Sequence, residues 1–215
     1  VTILVLSPHA DDAELAMGGT IAKWCHRRKQ EVVIAVACAS KYENRDGLVV
    51  SPEDRELDQM AACHVLGAHW HWRPFDAENK LDLVPRSEVA DWIDGLLLQH
   101  APSAVYVCLP WFNQDHTALW DALQVVARRA EGPDLWAYEM PGQHPPQEFG
   151  WRYEALIEPD IERKGAALML HATQRLDLAT GLISIKGAEV HTRMRGMQVN
   201  RTHAERFLLL RATQA

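Results

Sequence analysis

Short apolar runs alternate with longer segments of helical periodicity from the first residue to about residue 140. That alternation commits the chain to a sheet buried on both sides. Residues 1–6 (VTILVL) and 31–39 (EVVIAVACA) are of strand length and almost wholly apolar. Between them, residues 12–29 set Leu15, Ile21, Ala22 and the Trp24–Cys25 pair at helical spacing. The pattern then repeats: a helix to residue 66, a strand over 69–75, a helix over 85–100, a strand over 103–109, a helix over 115–131 and a strand over 134–140. Ser51-Pro52-Glu53-Asp54 starts the helix that Gly67 stops: serine caps, proline suits the first turn, and acids favour the positive end of the dipole. This order implies an α/β fold with a mainly parallel sheet and helices on both faces. Residues 40–50 and 142–150 are expected to be loops, 160–176 a helix and 207–210 a last strand. With no repeat or linker in view, residues 1–215 are expected to form one domain.

Charge and cysteine usage narrow the partners. Lys and Arg number 22 against 29 Asp and Glu, a net charge of −7, which argues against nonspecific nucleic-acid or anionic-membrane binding. No apolar stretch reaches the roughly 18 residues of a bilayer span. No basic segment followed by a cleavage site opens the chain, so nothing supports a signal peptide. Cys25, Cys38, Cys63 and Cys108 are widely spaced, lie in apolar contexts and form no C-x-x-C pair. Reduced core thiols in a cytoplasmic protein are the expectation.

In sheets of this kind the ligand crevice lies beyond the carboxyl ends of the strands. After residues 1–6 comes Ser7-Pro8-His9-Ala10-Asp11-Asp12-Ala13-Glu14, closed by Gly18-Gly19. His9 and Asp12 offer a nitrogen and an oxygen to one cation, a mixture that suits Zn²⁺ and other divalent first-row metals. Asp11, between them, points elsewhere and is free to handle a proton. The alternative is that both aspartates cap a helix and His9 is a loop residue. Glycine inside a helix costs roughly 1 kcal/mol against alanine, so Gly18-Gly19 signals either close packing or a nearby ligand. A G-x-G-x-x-G fingerprint is absent, which weighs against a dinucleotide site. After residues 103–109 comes Trp111-Phe112-Asn113-Gln114-Asp115-His116. If the two strands are neighbours, His116 completes a His-Asp-His set with an open position for water or substrate.

Ser7-Pro8-His9-Ala10-Asp11-Asp12-Ala13-Glu14 with Gly18-Gly19 resembles the HPDDE signature of the PIG-L/LmbE-like zinc N-deacetylases, and Asn113-Gln114-Asp115-His116 resembles that family's HxDH motif. Arg55-Glu56 with Ala61-Ala62 and Leu66-Gly67, Lys164, Ala167, His171 and Gln174, and Ala204-Glu205-Arg206-Phe207 extend the likeness over nearly the whole chain. The resemblance implies a single Rossmann-like domain and hydrolysis of an N-acyl group, most simply N-acetyl as in N-acetylglucosamine, from an amino sugar or glycoside. It implies His9, Asp12 and His116 as zinc ligands and Asp11 as general base. An aspartate ordinarily titrates near 3.9, and a neighbouring zinc ion depresses it further. Two residues depart from the pattern. Ala10 replaces a proline, and Asn113 replaces a histidine that stabilises the oxyanion; its neutral amide is a weaker donor.

Arg55 is a candidate substrate contact, or an ion-pair partner of Glu53 or Glu56 on a helix surface. Trp111 stacks on a sugar or packs after its strand; Tyr138 and Glu139 face substrate or the core. Glu14 supports the metal shell or follows the helix start, and Asp115 orients His116 or caps its helix. His69 and His71 share a strand face without an acidic ligand nearby. His144 lies in a Pro-rich loop, His171 reads as a packing residue, and Arg193, Arg195 and Arg201 read as a solvated basic face. The expected partner is a small N-acetylated molecule, and self-association into a homo-oligomer is left open. The rival reading is a metal-bound carbohydrate-binding protein without activity.

Overall fold

The structure, a computed structural model, describes residues 1–43, 47–128, 131–143 and 150–212. The chain runs through β1 (Thr2–Ser7), α1 (Asp12–Ala22), β2 (Glu31–Cys38), a small hairpin of β3 (Tyr42–Glu43) and β4 (Val49–Val50), and α2 (Pro52–Leu66). It continues with β5 (His69–Phe75), α3 (Arg86–His100), β6 (Ala104–Cys108), α4 (Gln114–Val126) and β7 (Asp134–Tyr138). The last elements are β8 (Trp151–Leu156), α5 (Glu158–Leu170), α6 (Ile185–Met197) and β9 (His203–Arg211). Among the described residues the central sheet has seven strands in the order β5-β2-β1-β6-β7-β9-β8. The first five are mutually parallel, and β9 runs antiparallel to both β7 and β8.

β1 and β2 sit centrally and bury nearly every residue, which is why they read as continuous apolar runs. The chain winds outward from β1 to β5, then returns to start again at β6. Right-handed crossovers therefore place α1 and α2 on one face and α3 and α4 on the other. The reversal between β1 and β6 is the switch point where such sheets hold their ligands. α2 starts as its sequence predicts: Ser51 Oγ accepts from Asp54 N at 3.1 Å, Ser51 N donates to Asp54 Oδ2 at 2.9 Å, and Gly67 ends the helix at φ 77°. No helix among the described residues is long and apolar enough to cross a membrane.

Several boundaries differ from the expectation. The helix expected over 12–29 kinks at Met17 (φ −137°, ψ 18°) and loosens into a π turn over Lys23–Arg27. The N–H groups of Gly19 and Thr20 donate to the Glu205 carboxylate at 3.2 and 2.7 Å, and Lys164 Nζ donates to the same group at 2.6 Å. A Cβ on Gly19 would lie 2.6 Å from Leu156 Cδ1, so the glycine pair marks close packing rather than a ligand. The helix over 160–176 is shorter, ending at Leu170 before a 3₁₀ turn over Ala172–Gln174. The expected loop over 40–50 contains the β3–β4 hairpin. β8 and α6 went unanticipated. Residues 129–130 of the expected 115–131 helix, and His144 with most of its loop, lie outside the described residues.

Glu139 faces the core, not a substrate. Arg195 Nε and Arg206 Nε both donate to its Oε2, at 2.8 and 2.7 Å, and His191 Nε2 lies 3.2 Å from the same oxygen. Arg206 also covers the Trp151 ring at 4.1 Å. The expected basic face is thus divided: Arg195 is buried on Glu139, whereas Arg193 pairs with Glu189 at the surface. Burial opposes charge on Glu139, but the hydrogen bonds from His191, Arg206 and Arg195 overcome it and hold the carboxyl at about 2, below its ordinary 4.5. A depressed carboxyl stabilises the fold above its unfolded pKa and loses that contribution as pH falls through its folded one. We expect Glu139→Gln to lower stability at pH 7 by about 2–3 kcal/mol. Urea unfolding midpoints of variant and parent should converge as pH falls from about 5 toward 2.

Candidate active site and metal centre

The turn after β1 is stapled by its own side chains. Ser7 Oγ donates to His9 O at 2.7 Å and accepts from Ala13 N at 3.2 Å. Asp11 then takes φ 112°, a sparsely populated conformation for a residue with a side chain. It stands at the start of α1 without making a side-chain cap bond. The backbone reversal sends the two adjacent carboxylates to different places. Asp12 Oδ2 accepts from His9 N at 3.0 Å and lies 3.0 Å from His9 Nδ1 and 3.2 Å from His116 Nε2. His116 arrives on the first turn of α4, because β6 pairs directly with β1 and both loops emerge at one sheet edge.

The donor atoms of His9, Asp12 and His116 lie within 4.8 Å of one another. Two imidazole nitrogens converging on one carboxylate oxygen suit a divalent first-row ion. Charges within the cluster are complementary. Burial works against charge on His116, but Asp12 beside it carries the imidazole up to about 10. Burial would raise Asp12, yet His116 and His9 hold it far below the usual carboxylate range. The other nitrogen of His9, Nε2, lies 2.8 Å from Asp115 Oδ2, the outer hydrogen bond that metal-binding histidines characteristically make. Asp115 also accepts from Asn79 N at 2.6 Å and Leu81 N at 2.9 Å. The His9 contact, with these backbone bonds, outweighs burial and lowers the Asp115 pKa. Asp115 therefore orients His9 rather than its neighbour His116, a contact across 106 residues that the sequence does not announce.

Asp11 is nearly buried and faces a different environment. Burial, then the charge of Asp12, push it up to about 7, against the opposing charges of His171, Arg55 and His9. Asp11 lines a cleft of about 530 Å³ with Tyr42, Thr173 and Gln174. Of the residues 173–183 that form its wall, 173–176 fall within the expected 160–176 helix. Glu14 stands apart from the donor cluster: its Oε1 accepts from Gln59 Nε2 at 2.7 Å, and Oε2 lies 3.7 Å from His171 Nε2, both residues being buried.

Other expected site residues are placed differently. Arg55 is 1% exposed, pairs with Glu78 through Nη1 and donates Nη2 to Ala10 O at 3.3 Å, so it braces the turn and presents no surface to a substrate. Tyr138 is fully buried and donates its hydroxyl to Leu6 O at 2.9 Å, so it supports the end of β1 from within. Trp111 packs against Phe112 on a separate cleft of about 330 Å³, bordered by Leu81, Arg86 and Asp121, that shares no lining residue with the Asp11 cleft. Asn113 caps α4, its Oδ1 accepting from Asp115 N at 2.8 Å. His69 and His71 belong to no three-donor group among the described residues.

A family model described as GlcNAc-PI de-N-acetylase matches residues 4–127, the part that carries both loops of the site. The uncharacterized deacetylase YaiS of Escherichia coli (strain K12) is 27% identical over 180 residues, covering 79% of this chain and 89% of that protein. Among solved structures, the A40926 pseudoaglycone deacetylase Dbv21 superposes with a TM-score of 0.80 at 22% identity, over 99% of this chain and 98% of its own. The N,N'-diacetylchitobiose deacetylase of Pyrococcus horikoshii superposes with a TM-score of 0.70 at 17% identity, over 97% and 83% respectively. At these identities the structural likenesses establish the fold. Asp115→Asn, which weakens the hold on His9, should reduce divalent-metal affinity about 10- to 100-fold. Competition against a chromophoric chelator measures it.

Proposed function

The chain belongs to the GlcNAc-PI de-N-acetylase family, and on that premise we propose that it is a zinc-dependent hydrolase removing an N-acyl group, most simply N-acetyl, from an amino sugar or glycoside. The single observation that carries this reading is the placement of two adjacent carboxylates in different surroundings. Asp12 lies between His9 and His116, while Asp11, turned by its φ of 112°, lines the cleft. The YaiS relative is named a deacetylase, and the names of the two structural neighbours give the A40926 pseudoaglycone and N,N'-diacetylchitobiose as what they deacetylate. An N-acetylated sugar is the substrate class that these names and this site support together.

His9, Asp12 and His116 would hold the ion. When bound, a zinc ion polarises the acyl carbonyl and lowers the pKa of a water to about 7. Asp11 accepts the proton of the attacking water and returns one to the leaving amine, a role best served by a pKa near the working pH. Arg55 fixes the Ala10 carbonyl, and with it the turn that aims Asp11. Asn113 commits Oδ1 to its cap and keeps Nδ2 as a neutral donor for the oxyanion. That weaker donor is what sustains the rival reading of a slow or inactive carbohydrate binder. Residues 1–215 act as one domain in this proposal. The four free cysteines, three of them buried, support a reducing, cytoplasmic setting.

Metal content and amine release from N-acetylglucosaminides, read with fluorescamine, test the assignment. Asp11→Asn should retain about one metal per chain and lose about 10²-fold or more in turnover, whereas His116→Ala should lose most of the metal. Full metal occupancy in His116→Ala overturns the ligand set. The two roles of Asn113 separate by substitution. Asn113→Ala should cost about 1 kcal/mol of stability through the lost cap. Asn113→Asp keeps a capping oxygen but no donor, and its turnover should fall by about 10²-fold; turnover at the parent level would leave Asn113 as a cap alone.

A further inference from the structure

A second set of metal-binding atoms stands behind the first. His9 turns Nδ1 toward Asp12 and Nε2 away from it, 2.8 Å from Asp115 Oδ2. Cys38, the last residue of β2, meets them there: its Sγ lies 3.5 Å from Asp115 Oδ2 and 3.2 Å from Pro8 O. The donor atoms of His9, Cys38 and Asp115 all fall within 4.8 Å of one another. Cys38 and Asp115 are both fully buried. The sheet explains the meeting. β1 pairs with β2 on one side and β6 on the other, so the end of β2, the turn after β1 and the first turn of α4 share one edge. The two sets have only the His9 ring in common, and hydrolysis as derived above gives the Cys38 thiol no part.

Donor chemistry separates the two. The first set offers two nitrogens and a carboxylate oxygen; the second has a sulfur in place of one nitrogen, and soft ions prefer sulfur. Around a four-coordinate ion with a metal–sulfur bond of about 2.3 Å and metal–nitrogen and metal–oxygen bonds near 2.1 Å, donors stand roughly 3.3–3.6 Å apart. The sulfur keeps about that distance from Asp115 Oδ2 and from Pro8 O, a fourth donor. Only the His9–Asp115 separation must widen, by about 0.5 Å. We propose that His9 Nε2, Cys38 Sγ and Asp115 Oδ2 form an alternative, inhibitory site for a thiophilic divalent ion such as Cd²⁺, whose occupation displaces the ion from His9, Asp12 and His116. The exclusion is chemical, because a neutral imidazole has one lone pair. With an ion on Nδ1, the ring proton sits on Nε2 and is donated to Asp115. With an ion on Nε2, the ring proton moves to Nδ1, where Asp12 Oδ2 accepts it at 3.0 Å, and the Cys38 thiol proton leaves to solvent. Cd²⁺ and Zn²⁺ carry the same charge, so affinity for sulfur decides between the sites. The inference goes beyond hydrolysis to its inhibition and rests on the His9–Asp12–His116 ligand set.

Titration of the metal-stripped protein with Cd²⁺, read by its thiolate-to-cadmium charge-transfer absorption, tests this. The parent should bind about one ion per chain and show the band. Cys38→Ser should abolish the band and weaken Cd²⁺ about 10-fold or more, while zinc affinity stays within about threefold of the parent. Cys38→Ala repeats the test without a hydroxyl. Cys108, whose Sγ lies 3.8 Å from His116 O, is the control thiol, and Cys108→Ser should keep the band. His116→Ala should lose zinc yet keep the band, because the second set does not use it. Cd²⁺ added to the zinc-loaded parent should release zinc as the band grows, with amine release falling in step. A band that survives both Cys38 variants, or that Cys108→Ser removes, overturns the placement. Loss of Cd²⁺ together with zinc in His116→Ala overturns the second site, and two ions bound at once overturn the exclusion. Zinc retained by His116→Ala would instead overturn the first ligand set, and no amine release from the zinc-loaded parent would overturn the deacylase reading, so each failure is separately legible.

Discussion

The Glu205 carboxylate, buried where β9 passes under the kink of α1, connects β9 to the helix that follows the His9–Asp12 turn. Two backbone N–H groups of α1, at Gly19 and Thr20, end on it, together with the Lys164 ammonium from α5. Left without partners, each of those amides would cost about 1–3 kcal/mol, and the lysine more. The second half of α1 is thereby fixed against β8, β9 and α5. The first half, bent at Met17, delivers Asp12 and the turn before it to the sheet edge. Lys164 and Glu205 lie far from the donor cluster in sequence and make no contact with it, yet the direction of α1 depends on them.

At the turn itself one residue of offset separates two chemistries. Asp11 and Asp12 are both buried and each raises the cost of ionising the other, so they cannot share one environment. The positive φ at Asp11 resolves the conflict by sending Asp12 between two histidines and Asp11 toward the cleft. The resulting spread of pKa values comes from burial and neighbours, which is how like groups acquire acid and base roles.

Much of this was legible in the sequence, because it rests on local or edge-directed signals. Continuous apolar runs identify β1 and β2, the Ser51–Asp54 box identifies α2, and the carboxyl-edge rule brings His9, Asp12 and His116 together. β8 was hidden by charge: Glu154, on its buried side, is neutralised by Lys23 of the π turn and by Arg28 just after it. α6 was hidden by size and polarity, since the side it buries consists of Gly187, Ala188, His191, Thr192, Arg195 and Gly196 instead of an apolar stripe. Arg55 and Tyr138 were misplaced for a common reason. A guanidinium and a phenol at an active-site edge look available to substrate until Glu78, Ala10 O and Leu6 O occupy them. The Asp115–His9 contact joins residues 106 positions apart, and no periodicity reveals such a pair.

The wall facing Asp11 is attached to the scaffold in a simple way. Thr173 anchors its beginning, with both N and Oγ1 donating to Asp58 Oδ2 at 2.9 and 2.7 Å, and Ser184 caps α6 at its end. Between those two clips the chain carries no element of the central sheet. The turn that carries Asp11 and Asp12 belongs to the first dozen residues, and the wall facing it belongs to a short, doubly tethered stretch more than 160 residues later. Such an arrangement lets the wall change in sequence while the geometry of the turn stays intact.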